Sequence, residues 1–441
     1  MTQSLLGCAA LWALVATPAA GQQSEPLEER VARLEEENRR LAEALQEARR
    51  PRPANAAHLV AGELKVRLTG YVDAGFFKAG GDGVAYALDA GKRNHPEYSD
   101  IPWVFDGDPW ANPVNSQGDS ADLGLDRTNI ARFDPIRSQG RPSFILNMVN
   151  LGLVGSHGGE FLVEASLNIE PRQGLLGSTG DFVDVDLAYV EWIASRKHDL
   201  HFFAGKFESI FGIEYRGRKA PDRYGVTPSI ISRYTSGTPT GVKARFSPWT
   251  GPVTLNLALT NGGMFTERFA HFFNEIDKNA FKTATGRLSY TLPLPFFLEV
   301  GASGQYGAQD GQPDENVPQW MFGFDAKLAV GDVIVRGEYL RTRAQGGGLS
   351  EAPVLRAEGF YVDASYQFLP WFGVLARVDH RNAFLLAETN LYLTNVSRVT
   401  AGLRFDINFH LIAKVEYLRV QEMSGPELDD DVFTSSLILR F

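Results

Sequence analysis

The feature of this sequence that most constrains its fold is an alternation of apolar and polar side chains, which recurs from residue 64 to residue 441. In the segment 64–77, Val66 and Leu68 share one face, whereas Lys65 and Arg67 share the other. Successive side chains of a β-strand point to opposite faces of a sheet, so this period of two predicts strands with one apolar face. We predict sixteen strands, at 64–77, 143–155, 159–170, 182–194, 199–207, 239–247, 252–261, 283–291, 296–307, 319–330, 332–341, 356–368, 371–381, 397–406, 408–421 and 431–441.

The connections between the predicted strands alternate between long and short. The long connections are 78–142, 171–181, 208–238, 262–282, 308–318, 342–355, 382–396 and 422–430. The others are short and often contain Pro or Gly, as at 248–251 and 369–370. A membrane barrel has tight turns at one rim and longer loops at the other. An even number of strands also brings both ends of the barrel to the same rim.

The last predicted strand ends at Phe441, the final residue of the sequence. Phe433, Leu437 and Leu439 share its apolar face, so the alternation continues to that residue. Outer-membrane β-barrels often close with such a strand, which pairs with the first strand and ends on an aromatic residue at the membrane edge. We therefore expect an all-β fold. It is a transmembrane antiparallel β-barrel of 16 strands over 64–441, with Phe441 at the barrel closure and a short N-terminal coiled-coil helix before it.

The N-terminal segment predicts export from the cytoplasm. Residues 5–20 are apolar and small, which is typical of a cleaved signal peptide over 1–21, although Lys and Arg are missing from its first residues. Cys8, the single cysteine, lies in this segment, so cysteine chemistry is not expected afterwards. The net charge of −10 provides no basic surface for nucleic acid. We expect the outer membrane of a Gram-negative bacterium, with the barrel assembly machinery and outer-membrane lipid as partners.

The segment 24–50 carries a heptad repeat, which predicts a periplasmic coiled coil. Its core positions are Leu27, Val31, Leu34, Asn38, Leu41 and Leu45. A single solvated helix is the alternative, but an isolated helix of this length is marginal in water, which favours self-association. Pro51 and Pro53 end the helix, and 51–63 is interpreted as a linker.

The number of predicted strands restricts the possible functions of the barrel. Barrels of about eight strands are filled by side chains, whereas 16-stranded porins enclose a water-filled channel. We therefore expect a porin for passive diffusion of small hydrophilic solutes, with no cofactor and no metal site. The eight His residues are scattered without a nucleophile motif, so an enzyme is not expected. The alternative is a structural outer-membrane anchor or envelope tether that uses the coiled coil. The acid-rich connection 78–142 lacks calcium-loop spacing and is interpreted as a solvated surface loop.

One segment carries a family resemblance. Residues 203–214, FAGKFESIFGIE, end the fifth predicted strand and begin the third long connection. They resemble the strand-to-loop segment G-K/Q-F-x-x-P-F-G-x-E of the phosphate-selective porins O and P and related porin families, with Ile210 where Pro is common. The resemblance implies a trimeric outer-membrane porin whose third loop folds inward and narrows the pore. It also implies that a coiled coil can precede the barrel.

The third long connection, 208–238, is the candidate constriction loop. Its basic residues are Arg216, Arg218, Lys219, Arg223 and Arg233, and they exceed its acidic residues by two. A second basic set is predicted on the inward faces of strands, at Arg67, Arg336, Arg377, Arg404, Lys414 and Arg440. If the loop folds inward, these charges would favour anions, phosphate among them. The alternatives are solvated loop charges and a mixed structural wall, since acids are also predicted inward at Glu164, Glu299, Asp325, Glu338, Asp363, Asp379 and Glu416.

Overall fold

The computed structural model describes residues 58–61, 64–80, 113–119, 136, 138, 141–170, 183–261, 280–309, 317–345, 354–386, 391–423 and 431–441. The chain divides into two compact units, Met1–Asn55 and Ala56–Phe441. The predicted signal peptide and coiled coil lie outside the described residues and stay predictions. Within the described ranges, no helix is long and apolar enough to cross a membrane.

Ala56–Phe441 contains one 17-stranded antiparallel sheet, counted over the described residues. The strands are β1 (His58–Ala61), β2 (Leu64–Ala79), β3 (Ser143–His157), β4 (Phe161–Ile169), β5 (Val183–Ser195), β6 (Leu200–Lys206), β7 (Thr240–Phe246), β8 (Val253–Thr260), β9 (Thr283–Thr291), β10 (Phe297–Gln309), β11 (Val317–Val330), β12 (Val333–Gln345), β13 (Val354–Leu369), β14 (Phe372–Leu386), β15 (Leu391–Asp406), β16 (Leu411–Glu422) and β17 (Val432–Arg440). From β2 onward each strand pairs with the next, and β17 pairs with β2. The strands β2–β17 therefore close a 16-stranded barrel, which confirms the predicted fold class.

The lengths of the connections separate the two rims of the barrel. Short turns join β3 to β4, β11 to β12 and β13 to β14, and long connections follow β2, β6 and β8. We call the two ends the turn rim and the loop rim. The predicted alternation of long and short connections is therefore observed, with both ends of the barrel at the turn rim.

The main differences from the sequence-based expectation are in two regions. Strands β14 and β15 continue about five residues further toward the loop rim than predicted, to Leu386 and from Leu391. Part of the segment interpreted as a linker is a strand, because His58–Ala61 pairs with the first residues of β2. This short strand lies on the edge of β2 that β17 leaves uncovered.

The barrel has its apolar face outside and its polar face inside. On β13, Phe360 and Val362 are exposed on the outer surface, whereas Tyr361 and Asp363 are buried inside. The same alternation puts Val399 outside and Arg398 inside on β15. Lipid requires this arrangement, because an apolar exterior faces the acyl chains and every backbone polar group is paired within the closed sheet.

The barrel closes at the junction of β17 and β2, which we call the seam. β17 pairs with β2 from Val432 opposite Ala79 to Arg440 opposite Tyr71. Beyond it, Phe441 exchanges two backbone hydrogen bonds with Gly70, at 3.0 and 3.1 Å. β1 then occupies the remaining edge of β2, opposite Leu64–Arg67. Phe441 is thus the last residue that pairs across this junction.

The wall of the barrel is uneven in height. β6 and β7 have 7 residues each and β8 has 8, whereas β13 and β15 have 16. A transmembrane strand needs about 9–11 residues at a tilt of about 45°. At about 3.3 Å per residue, seven residues rise about 16 Å along the barrel axis, and the pairing of β6 with β7 continues past Lys206, since the Ser209 N–H donates to the Gly237 carbonyl at 2.8 Å. We call β6–β8 the low sector. It begins where the third long connection leaves the wall.

Phe441 offers a direct test of the seam. We expect Phe441→Ala to reduce the folded barrel in the outer membrane several-fold, because it removes the aromatic side chain at the point where the sheet closes. The folded fraction is measured by heat-modifiable migration in SDS gels of isolated outer membranes. Leu439→Ala is the matched control, since Leu439 lies on the same strand and also faces outward. Equal folded fractions for the two variants would contradict a special role of Phe441 in closure.

Candidate pore constriction

The third long connection, residues 207–239, folds into the barrel lumen. After Lys206 the chain turns inward and contacts the inner faces of strands on the opposite side, from β10 to β16. It contains a 3-10 turn at Glu214–Gly217 and a single α-helical turn at Ser232–Thr235. Most of its side chains are buried. We call this segment the constriction loop.

The motif that suggested a porin loop forms its inward bend. Phe211 is buried, and Gly212 adopts a φ of +67°, which favours glycine. A Cβ atom at Gly212 would occupy the space taken by the Glu338 carboxylate of β12. Glu214 accepts a hydrogen bond from the Ser229 backbone N–H at 2.7 Å and another from the Ser229 hydroxyl. It therefore links the inward and returning arms of the loop.

Two wall carboxylates hold the constriction loop by its backbone. Glu338 accepts the N–H groups of Ile213 and Glu214, the first at 2.7 Å. Glu416 on β16 accepts the N–H groups of Val226 and Thr227, each at 2.8 Å, and the Thr227 hydroxyl at 2.7 Å. Buried backbone N–H groups need acceptors, so these carboxylates satisfy both arms of a loop that has no sheet to pair with.

Basic side chains of the wall donate hydrogen bonds to the carbonyl groups of the constriction loop. Lys414 donates to the carbonyls of Ala220, Arg223 and Gly225. Arg377 donates to the Thr227 and Pro228 carbonyls at 2.8 and 3.2 Å, and Arg398 donates to that of Pro228 at 2.7 Å. Both arginines also pair with Asp379, at 3.0 and 3.1 Å. The loop is thus fixed by acids and bases alternating along the far wall.

A piece of the first long connection, 113–119, also lies in the lumen. Its Ser116 hydroxyl donates to buried Asp73 of β2, and Arg223 of the constriction loop donates to the Ser116 carbonyl at 2.7 Å. Asp73 also accepts from Asn147 and Ser436, at 3.0 and 2.5 Å. The interpretation of the whole connection as a solvated surface loop is therefore wrong for this piece. Within the described residues, no group of acidic, His or Cys side chains is arranged to hold a metal ion.

The five basic residues predicted on the constriction loop have different environments. Arg216 pairs with Glu299 at 3.0 Å and is 41% exposed, and Lys219 pairs with Glu164 at 3.3 Å and is 22% exposed. Arg218 pairs with Asp186 at 2.7 Å. Arg223 and Arg233 are buried. Burial lowers the pKa of Arg223 to about 10, which leaves it charged near neutral pH. Arg216 and Lys219 are therefore the loop cations that face water most.

The predicted wall residues separate into three groups. Arg377 and Lys414 are buried under the constriction loop, as described above, and do not line open space. Arg336 pairs with Asp363 at 2.7 Å and is 20% exposed, and Arg404 pairs with Asp406 at 2.8 Å while donating to the Arg223 carbonyl. Arg67 is exposed near the turn rim, and the guanidinium of Arg440 lies 4.5 Å from the ring of Phe409 in a turn. The structure does not bring the six together at one depth.

Sequence reasoning missed two lysines of the inner wall. Among the described residues, neither Lys243 of β7 nor Lys327 of β11 forms an ion pair. The Lys243 ammonium lies 4.1 Å from the ring centroid of Phe203, and Lys327 lies opposite Glu299 and Arg336 in the neighbouring strands. Their alternation could have placed both inside, but no sequence pattern indicates which lysines lack a partner. Arg287, buried between Glu299 and Asp325, was also missed.

These features define a class of protein. A closed 16-stranded barrel with a polar lumen and an inward-folded loop is the architecture of an outer-membrane porin. Residues 160–441 match the model of the family described as beta-barrel porin-2, OmpL-like, which is well over half of the chain. The protein belongs to this porin family, whose members are channels rather than enzymes. A comparison with curated protein sequences found no match.

Solved outer-membrane proteins share the fold. The channel DcaP of Acinetobacter baumannii aligns with a TM-score of 0.53 and 11% identity, over 87% of this chain and 100% of that one. OmpF of Salmonella typhi, in complex with daunomycin, gives 0.52 and 11% over 87% and 100%. OmpT of Vibrio cholerae gives 0.51 and 9% over 87% and 100%. At these identities the similarity shows the fold alone.

The anchoring of the constriction loop can be tested at Glu416. We expect Glu416→Ala to raise single-channel conductance and its noise, because three buried donors lose their acceptor at about 1–3 kcal/mol each. Conductance is measured in planar bilayers at fixed salt. Glu358→Ala is the matched control, because Glu358 lies on β13 beside outward-facing Phe360 and pairs only loosely with Arg341 at 3.9 Å. An unchanged conductance in Glu416→Ala would show that this contact does not set the pore size.

Proposed function

We propose that this porin is a passive channel for small hydrophilic solutes that prefers anions, inorganic phosphate among them. The observation that supports the preference is the charge left unpaired on the inner wall. In the described part of the lumen, Glu164, Asp186, Glu299 and Asp363 each pair with an arginine or a lysine, whereas Lys243 and Lys327 have no acidic partner. Asp222 on the loop is exposed and unpaired, so it offsets one of the two.

The position of these cations supports the proposal further. Arg216 reaches Glu299 on β10, and Glu299 lies opposite Lys327, which lies opposite Arg336 on β12. Three partly exposed cations, Arg216, Lys327 and Arg336, therefore lie beside the constriction loop together with two carboxylates, Glu299 and Asp363. In a water-filled passage narrowed by protein, fixed positive charges attract anions and repel cations. The guanidinium and ammonium groups of such a set can also donate hydrogen bonds to the oxygens of a phosphate.

Reversal potential in a salt gradient tests the preference. We expect anion selectivity for the wild-type protein, and we expect Lys327→Gln combined with Arg216→Gln to shift the reversal potential toward zero. The measurement uses the purified protein in planar bilayers with potassium chloride and then potassium phosphate. Lys197→Gln is the control, because Lys197 is exposed in a turn outside the lumen. A cation-selective wild-type channel would overturn the anion preference, and the absence of any channel would overturn the function itself.

We also propose a homotrimer in which a neighbouring subunit covers the outer surface of the low sector. The strands β6–β8 are the shortest of the barrel, and the outer surface of this sector bears an apolar hollow of about 740 Å³. Val190, Trp192, Phe202, Val242, Leu257 and Leu259 line it. A trimer form of the OmpT of Vibrio cholerae, with a TM-score of 0.50 and 10% identity, has been described. The predicted coiled coil over 24–50 would hold such an assembly together.

Filling the hollow tests the trimer. We expect Ala244→Trp to weaken the oligomer, because Ala244 lines the hollow and a partner's side chains would lose their place. The oligomeric state is measured by mass photometry in detergent, and single-channel conductance is measured in parallel. Ala401→Trp is the control, since Ala401 is exposed on the outside of the tall wall. An unchanged trimer in Ala244→Trp would place the interface elsewhere, and a monomeric wild-type protein would overturn the trimer.

Deletion of 24–50 separates the porin from the tether alternative. A porin would keep its conductance and lose some trimer stability. A tether would lose envelope attachment, and its wild-type form would show no channel activity.

A further inference from the structure

The inner wall at the low sector carries an aromatic strip, which is formed by Tyr189, His201 and Phe203. On β6, Phe202 faces outward and Phe203 faces the lumen, where its ring is partly exposed. The Tyr189 ring of β5 lies 5.8 Å from that of Phe203, and the His201 ring lies 6.4 Å away and nearly parallel, at 17°. Inward apolar side chains of other strands, such as Leu340 and Ile412, are buried, whereas the Phe203 ring is partly exposed. The strip therefore presents an apolar surface to the water of the lumen.

Lys243 adds a positive charge to this strip. Its ammonium lies 4.1 Å from the Phe203 ring centroid and 5.0 Å from that of buried Phe207. Cation–π contacts of this kind hold the ammonium at the ring without neutralising its charge. No carboxylate within the described residues pairs with it. The acidic side chains around it have other partners, since Glu208 pairs with Arg218 at 3.7 Å, Glu191 pairs with His201, and Glu164 accepts from Tyr189 and Lys219.

The surroundings of the strip favour a solute over packing as its partner. His201 is held between Glu191 and Asp199, and Asp199 pairs with Arg245 at 2.7 Å, so the strip is rigid on its turn-rim side. Toward the loop rim it meets the constriction loop, whose Lys219 is partly exposed. A solute that passes the loop therefore meets flat rings beside one free ammonium and a second ammonium nearby. The chemistry complementary to this set is a carboxylate on a flat apolar body.

We propose that Tyr189, Phe203 and Lys243 form a subsite for small aromatic carboxylates on the channel wall. Lys243 contacts the carboxylate, and the rings of Phe203 and Tyr189 contact the aromatic body of the solute. The subsite rests on the proposed anion channel and names a class of anion that it favours. Binding here is weak and exposed to water, as conduction requires, because a solute that bound tightly would not leave.

The test compares three probes on the purified wild-type protein in planar bilayers. Benzoate carries the ring and the charge, acetate carries the charge alone, and benzamide carries the ring alone. We expect benzoate to interrupt the chloride current at a concentration about 3- to 10-fold lower than acetate, as an added ring contact implies. Benzamide should interrupt it no more than acetate does. Equal effects of benzoate and acetate would overturn the subsite.

Variants of the strip identify the residues. We expect Phe203→Leu to remove the advantage of benzoate over acetate and Phe203→Tyr to keep it. Lys243→Gln should weaken both anions, and the outward-facing control Phe202→Leu should change neither. A Phe203→Leu channel that still favoured benzoate would overturn the role of the ring. If Phe203→Leu does not fold, Tyr189→Leu provides the same comparison from the neighbouring strand.

Failure of the subsite and failure of the channel give different results. An anion-selective wild-type channel that treats benzoate and acetate alike overturns the subsite and leaves the proposed function standing. A protein with no conductance, or one that selects cations, overturns both. Anion selectivity together with a benzoate preference that depends on Phe203 supports both.

Discussion

The structure depends on one constraint, which is that a backbone amide or carbonyl in lipid has no water to bond with. Each must find a partner in the protein, and a sheet meets this demand only by closing on itself. Closure decides the parity of the strands, the position of both barrel ends at one rim and the pairing of Phe441 with Gly70. The lipid also reverses the polarity of a soluble barrel, because the apolar face of the sheet must lie outside, against the acyl chains.

The same constraint governs the lumen in a different form. The constriction loop crosses the interior without a neighbouring strand, so its N–H and carbonyl groups require other partners. The wall provides ionised side chains for this purpose, with Glu338 and Glu416 for the donors and Arg377, Arg398 and Lys414 for the acceptors. Much of the charge inside the barrel is therefore structural. The charge available to a solute is the small remainder, at residues such as Lys243 and Lys327.

Most of the fold could be predicted from the sequence, since a period of two and Pro- or Gly-containing turns are local signals. The strands of the tall wall were predicted too short, because sequence segments such as 382–386 lack the alternation. The four-residue strand β1 was missed because it is too short to show a period.

The candidate site could be predicted only in part. The motif 203–214 indicated an inward loop, and the predicted inward faces held the acids and bases now seen to anchor it. The sequence could not indicate which charged side chains are buried under the constriction loop. Arg377 and Lys414 are indistinguishable in pattern from Lys327, yet they are buried under the loop while Lys327 stays unpaired. Burial under the loop depends on contacts between residues more than one hundred positions apart, such as Arg377 with Thr227 and Lys414 with Ala220, which no local pattern encodes.

The anchoring of the constriction loop has a consequence for the order of assembly. Ile213 is separated from its acceptor Glu338 by 125 positions, and Val226 from Glu416 by 190. Contacts so distant along the chain form late, because a long segment must first be confined. The loop can settle only after β12–β16 have joined the wall. The nascent barrel therefore passes through a stage with a wider lumen, and the narrow passage is acquired as the last strands are inserted.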